Sequence, residues 1–434
     1  MSEKIFINIF KVIIFLIPVG LITGPFIPDL AITLMAFLFI LLSIKNNLWK
    51  KYYDNNIVKF LFIINIYLIF ISLFSDNLYL SLKSSIFYFR FLLASIAIWF
   101  LLDHAGYSFK KNLTVYMMLI FLCLSLDAIY QYKFGENIIG LKPLHIYRIS
   151  SFFGDQLVLG SYQSRLLILL MGLYMALNIF NKNIYFISLF FLFTICSIFL
   201  SGERTSFALL LISISLFLFL TKFSSKIFVP ILLSICLVLF ISYFDKQMRY
   251  RIFIEPLHQS NLASEKLLKI YETEKKSYIH DDKKILIFSK EHNAHYNTAL
   301  KIFLDNTIIG IGPKMYRIKC SDEKYISGNE SCSTHPHNVL MQILSETGLV
   351  GLILYLIIIY FIVSEIVKIY RNQLKSESYI QLGCLILFFI NLFPFVPSGN
   401  IFNNWLSVIF YFPLGFYLYS SNYKIEKNRL KSTI

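Results

Sequence analysis

Apolar residues along this chain gather into long runs separated by short polar breaks. Twelve runs read as membrane-crossing helices: 5–22, 30–44, 57–74, 84–102, 113–132, 158–180, 184–200, 205–220, 227–244, 338–363, 379–394 and 401–419. Runs of roughly 17 to 25 apolar residues suit a hydrocarbon core of about 30 Å, and the second run is short by that measure. The first run has no small-residue cleavage site with a polar flank, so it reads as a span and not as a signal peptide. One connection departs from the short loops. Residues 245–337 form a long hydrophilic segment, the kind of loop that is either functional or disordered. Its stretch 261–290, rich in Lys, Glu and Asp, reads as a solvated helix or a mobile loop. Ala299, Leu300, Ile302 and Phe303 then predict a short amphipathic helix, and Asp305-Asn306 and Gly310-Ile311-Gly312-Pro313 supply turns. The expected fold is an all-α integral membrane protein with three parts: helices in 1–244, the loop 245–337, and further helices with a tail in 338–434.

The tenth run carries an unusual polar pattern at its start. His335, Pro336 and His337 precede it, and Pro336 suits the first turn of a helix because its missing N–H is not needed there. From that start, Asn338, Gln342 and Glu346 recur every four residues and share one helix face. Polar groups within a bilayer face a bundle interior or a cavity. A packing seam explains the stripe equally well, with Gly348 and Gly351 allowing close approach of a neighbour.

Composition confirms the class and then changes the reading of charge. The chain is 57% apolar, with a mean hydropathy of +0.66, which excludes a soluble globular protein. A net charge of +15 would suggest nucleic acid in a soluble chain. Here most of it sorts by loop: Lys45, Lys50, Lys51, Lys110, Lys111, Lys182, Lys222, Lys226, Lys368, Arg371, Lys375 and the tail lysines fall on one side. The positive-inside rule makes that side cytoplasmic, with both termini, and puts the long loop outside. No nucleic-acid partner is implied. Cys123, Cys196, Cys236 and Cys384 lie within runs, whereas Cys320 and Cys332 lie in the outer loop and are expected to pair as a disulfide. A metal site there would lack a familiar zinc spacing, so neither metal nor cofactor is expected.

Several outer-side residues could hold an anion. Ser201-Gly202-Glu203-Arg204-Thr205-Ser206 is a tight turn in which Thr205 or Ser206 can cap the next helix, adding the positive helix end to the charge of Arg204. Arg148 closes the loop before the sixth run, and Arg317, Lys314, His292 and His295 lie in the long loop. Taken alone, the turn is an ordinary hairpin and Arg148 a solvated arginine. Arg90, Asp127 and Arg165 fall at a similar depth, and Asp127 is expected to neutralise one of the two arginines. Asp281 and Asp282 lie in the hydrophilic middle of the loop and read as solvated. Arginines with a nearby imidazole suit a phosphate-bearing lipid: guanidinium matches phosphate oxygens, and imidazole takes a hydroxyl proton near neutral pH.

These residues together resemble the O-antigen ligase and O-antigen polymerase superfamily. The resemblance rests on His335-Pro336-His337-Asn338, Gln342, Glu346, Gly348 and Gly351, on Ala299, Phe303, Asp305-Asn306, Gly310 and Gly312-Pro313 upstream, and on the Arg204 turn and Arg148-Ile149-Ser150. It implies a GT-C-like fold of about twelve helices with one large periplasmic loop in the bacterial inner membrane. It implies a metal-independent glycosyltransferase that takes glycan from an undecaprenyl-pyrophosphate carrier. The acceptor is lipid A–core in a ligase, another carrier-linked repeat in a polymerase, and a protein in some relatives. Carried onto this chain, the resemblance makes His337 catalytic and Arg204 a pyrophosphate contact. Arg148, Arg317, His335, His295, Asn338 and Gln342 are the further candidates for binding substrate. The chain departs from the pattern where ligases show an arginine before the amphipathic helix; His292 and His295 stand there, and Arg317 is the substitute. A transporter of anionic lipid-linked sugars is the competing class. It would favour broken helices in two matching halves, and the Pro394–Pro397 break has no counterpart in the first half.

Overall fold

The computed structural model describes residues 2–145, 147–179, 184–259, 288–328 and 330–432. The expectations for Lys182, for Asp281 and Asp282, and for most of 261–290 lie outside those residues. Among the described residues the elements are helical, with one isolated bridge between His145 and Arg148. The larger helices are α1 (Glu3–Thr23), α2 (Phe26–Asn46), α3 (Asn56–Ser72), α4 (Leu78–Ile86), α5 (Phe89–His104), α6 (Tyr107–Phe134), α7 (Leu159–Leu177), α8 (Ile184–Leu200), α9 (Arg204–Leu220), α10 (Ser225–Phe244), α11 (Lys290–Asp305), α12 (Val339–Arg371), α13 (Ser376–Asn391) and α14 (Asn404–Ser432). Among the described residues six helical stretches are long and apolar enough to cross a membrane: Glu3–Thr23, Phe26–Asn46, Leu78–His104 (α4 and α5 together), Tyr107–Phe134, Ile227–Phe244 and Val339–Arg371. Asn56–Ser72, Tyr185–Leu200, Arg204–Leu220 and Ser376–Asn391 are shorter apolar helices.

The centre of the bundle is the pair α7 and α13. Apolar residues surround both helices, so both are buried on nearly every face. Their backbones meet at Gly172 and Gly383, where a Cβ on Gly172 would stand 2.5 Å from the Tyr379 carbonyl oxygen. Small residues let membrane helices approach this closely, and dispersion then holds them. A second close crossing joins α5 to α14, where a Cβ on Gly415 would reach 2.5 Å from Ile98 Cβ and Ser95 Oγ donates to the Tyr411 carbonyl.

Contacts between helix ends fall into two groups. At one end Tyr107 donates to the Leu177 carbonyl, Lys110 to the Tyr419 hydroxyl, and Asn46 to Glu3. At the other, Trp405 donates to the Leu21 carbonyl, Tyr132 to Asp245, and Tyr67 to the Thr347 carbonyl. The described part of the long loop packs on this second end. Its helix α11 is longer than the apolar quartet Ala299, Leu300, Ile302 and Phe303 predicts, because Ser289 caps it by accepting from His292 N. Ala299 and Ile302 are buried with Met315, Tyr316 and Tyr325 in a small core of their own, and Cys320 is bonded to Cys332.

The tenth run is not one uninterrupted helix. Gly348 stands at φ 65°, ψ −162°, and splits α12 into a short polar part and a long apolar one. The freed backbone groups pair with the loop: Ile311 N donates to Ser345 O, Gly312 N to Glu346 O, Leu349 N to Thr307 O and Val350 N to Ile308 O. Gly310, at φ 69°, sits against the same break, and a Cβ there would reach 2.5 Å from Glu346 C. The polar stripe therefore ends at the break and does not continue down the apolar part. Helix start also differs from expectation: Val339 is the first helical residue and Asn338 its cap, so Pro336 precedes the helix instead of lying in its first turn.

Candidate active site

Four imidazoles converge where the loop meets the start of α12. The ring of His337 lies 4.1 Å from that of His335, 5.2 Å from His295 and 5.9 Å from His292, centroid to centroid. His337 has φ 54°, a left-handed conformation that a β-carbon disfavours. A clasp from the connection between α13 and α14 holds it there. Ser398 N donates to the His337 carbonyl at 2.8 Å, and His335 Nε2 bonds to the Ser398 carbonyl at 3.2 Å. Asn338 caps α12 through Met341 N and donates to the Pro394 and Val396 carbonyls. Gln342 donates to Asn400 and Glu346 and accepts from Ile401 N. Glu346 accepts in turn from Tyr316 N.

Asn338 and Gln342 are thus engaged within the protein and set the clasp. Both ring nitrogens of His335 are engaged, the second by the Thr334 hydroxyl. No described residue hydrogen-bonds the ring of His337, and it is half-buried. Burial first, then the imidazoles of His335, His295 and His292, push its pKa down to about 3. His335 is pushed down to about 4 by burial, against the Ser398 carbonyl and with help from His295 and Arg317. Both rings are therefore neutral at physiological pH, and His337 presents a free acceptor. His295 is buried with Nδ1 unpartnered, and Arg317 is exposed at the rim beside His335. Among the described residues no three His, Cys, Asp or Glu side chains are grouped as metal ligands.

An arginine cluster adjoins the imidazoles. Arg204 begins α9, donates to Gln259, and lies close enough to His292 to lower that ring's pKa, after burial and His295. Arg148 and Arg251 crowd the same turn: burial and the neighbouring guanidinium groups lower both, while Glu203 and Glu255 oppose the shift. Arg251 Nε donates to the Gly202 carbonyl at 3.0 Å. Gly202 has φ 63°, and a Cβ there would collide with the Tyr147 carbonyl at 2.3 Å, so glycine is required for the loops to meet. Glu203, not Thr205 or Ser206, holds the cap position of α9. Its carboxylate turns away to the start of α7, accepting from Gly160 N, Ser161 N and Ser206 Oγ. Burial raises its pKa against those donors and against Arg148 and Arg165.

The expected pairing of Asp127 with Arg165 or Arg90 does not occur. Asp127 accepts from Ile138 N and Ser151 Oγ and so closes a loop turn. Arg90 pairs with Asp29 at 2.5 Å. Arg165 donates from Nε to Asn391 Oδ1 at 2.6 Å and from NH1 to Ser161. A backbone amide and a hydroxyl satisfy Asp127, and a carboxamide and a serine satisfy Arg165, so only Arg90 is neutralised by a salt bridge, with a different carboxylate. Three participants escaped the sequence reading: Arg251, Glu203 and the clasp residue Ser398. The two prolines around Phe395-Val396 were the available signal for the clasp, since they mark a rigid connection.

Comparison with known proteins bears on this end of the bundle. Residues 189–356 match the family profile described as O-antigen ligase. That segment is similar to the O-antigen ligase family. It contains Arg204, Arg251, all four clustered histidines and the Gly348 break, whereas Arg148, Asn391 and the clasp lie outside it. A Rickettsia conorii protein named as a candidate polysaccharide ligase is 32% identical over 92 residues. That match covers 20% of this chain and 22% of the relative, so the chain spans about a fifth of the relative's length. The several long apolar helices together with this match indicate a multi-pass membrane protein.

Proposed function

We propose that this chain transfers an O-antigen glycan from an undecaprenyl-pyrophosphate carrier to lipid A–core on the periplasmic face of the inner membrane. In this reading twelve helices span the bilayer, both termini are cytoplasmic, and the histidine end faces the periplasm. The observation that supports it best is the unengaged ring of His337 beside an arginine cluster, with His292 between them. Arg204 and Arg148 hold the carrier diphosphate, and Arg251 sits in reach of both. The acceptor hydroxyl attacks the anomeric carbon from the face opposite the diphosphate. The new C–O bond forms as the bond to the diphosphate oxygen breaks, the hydroxyl proton passes to His337, and the configuration inverts. Guanidinium groups stabilise the negative charge that grows on the departing diphosphate, usually the largest catalytic term. A diphosphate also raises the basicity of a nearby imidazole, so His337 becomes a competent base only when the donor is in place.

The test is genetic. Cells lacking the gene are expected to make lipid A–core bearing no O-antigen, and the intact gene restores the ladder on a gel. His337→Ala and Arg204→Ala, at normal membrane levels, are expected to leave the core bare, since loss of a general base costs roughly 10²–10⁴ in rate. A core bearing a single repeat would point to a polymerase with the same donor chemistry. Normal ladders from both variants would remove the site assignment.

A further inference from the structure

The loop helix α11 is divided lengthwise into three strips. One is buried: Ala299 and Ile302 pack in the small core with Met315 and Tyr316. The second is apolar and open. Leu300 and Leu304 share one face, and Ile308 follows in the turn beyond; they are 42%, 65% and 70% exposed. The third is polar and open, formed by Asn297, Lys301 and Asp305. Lys301 donates to the Ile326 carbonyl, and Asp305 pairs with Lys324. Scattered exposed aliphatics are ordinary, whereas a contiguous apolar surface marks an interaction site.

This apolar strip does not stop at the loop. The Ile308 carbonyl accepts from Val350 N at 3.2 Å, so Ile308 abuts the first turn of the apolar part of α12. Of the six candidate spans that helix is the least covered by protein: 17% of its most apolar stretch is buried, against at least 33% in each of the others. Leu349 and Ile353 are exposed on it. Across the break, Tyr67 donates to the Thr347 carbonyl and brings the end of α3 alongside, with Phe70, Leu73 and Phe74 exposed. A spanning helix with this much open carbon faces lipid, and the strip on α11 continues that surface. Beside the strip lies a polar hollow of about 290 Å³, lined in part by Phe74, Asp76, Asp305, Lys319 and Lys324. Lys319 pairs with Asp76 there. Open carbon that gives way to ion pairs between Leu304 and Asp305 matches the boundary between acyl chains and headgroups.

We infer that α11 is an interfacial helix, whose strip of Leu300, Leu304 and Ile308 rests in the bilayer where acyl chains meet headgroups, with membrane phospholipid as its partner. Lys301 and Asp305 then face the aqueous side. The inference stands apart from the proposed donor and acceptor. Its consequence is positional. His292 and His295 lie on the same helix, and His295 is about 14 Å along the axis from Leu304. Lipid contact at one end of α11 therefore sets the height of the imidazole cluster over the membrane. A second copy of this chain is the competing occupant, and continuity with the open face of α12 argues for lipid.

The experiment places nitroxide labels on the full-length protein in phosphatidylethanolamine nanodiscs. The background lacks Cys123 and Cys236 and keeps the Cys320–Cys332 bond. Leu304→Cys reports on the apolar strip, Leu300→Cys gives a second reading there should the first variant misfold, and Lys301→Cys reports on the polar edge. Power-saturation spectra compare relaxation by oxygen, which concentrates in hydrocarbon, with relaxation by a water-soluble nickel chelate. Labels at Leu300→Cys and Leu304→Cys are expected to respond more to oxygen, at a depth of about 5–10 Å. The label at Lys301→Cys is expected to respond more to nickel. Nickel dominating at all three positions would put the strip in water and overturn the inference. Shielding of the Leu304→Cys label from both reagents, with broadening that vanishes on dilution with unlabelled protein, would overturn it in favour of a second copy.

Discussion

His337 combines three constraints at one residue: a left-handed backbone, a carbonyl tied to Ser398, and a ring among three other imidazoles. The motif around it could be read from the chain, because two histidines before an apolar run are conspicuous. The ring's isolation from hydrogen-bond partners could not, because it depends on Asn338 and Gln342 turning to the clasp. The same crowding has a measurable acid consequence. The folded pKa values of His335 and His337 lie below the ordinary imidazole value of about 6.5. The unfolded chain then binds protons that the fold excludes, so stability is complete above about pH 6.5 and declines as pH falls toward the folded values. His335→Gln is expected to flatten that decline. Unfolding midpoints of the detergent-solubilised protein between pH 7.5 and 4.5 check it, and parallel slopes for wild type and variant would contradict it.

At the scale of elements, the interruption of α12 decides how the outer loop is held. Spacing of Gly348 and Gly351 reads from sequence as a packing seam, and Gly310 and Gly312 read as turn residues. In the structure Gly348 and Gly310 face one another, each permitting the other's backbone to approach. Pairing between distant glycines cannot be read from local periodicity, which explains why the helix looked continuous. Gly348→Ala would place a Cβ 2.5 Å from the Ile308 carbonyl oxygen at a φ that L residues rarely adopt. We expect a cost of at least ~1–3 kcal/mol and release of 307–312 from the break. Limited proteolysis should then cut near Asp305 in Gly348→Ala and spare His337→Ala. Equal resistance in the two variants would show that the break is tolerant.

Across the whole molecule, the fold brings the arginine and histidine clusters side by side, although Arg148, Arg204, Arg251 and His337 are far apart in sequence. Hydropathy located most helices to within a few residues, because lipid leaves the backbone little choice but to bond within each segment. The run 84–102 falls within the single candidate span Leu78–His104, whose helix is interrupted between α4 and α5, a break that hydropathy does not register. The proposed topology is checked with a membrane-impermeant thiol reagent on whole cells with a permeabilised outer membrane. In a background lacking Cys123 and Cys236, Ser327→Cys should label and Asn372→Cys should not; the reverse pattern would invert the protein. The clasp on His337 carries a last consequence. Ser398 and Asn400 come from the final hairpin, beyond the stretch shared with the ligase superfamily. That stretch is not expected to work as a self-sufficient module, because 335–342 is held in place by 394–400. A chimera that exchanges one without the other should insert normally and yet be inert.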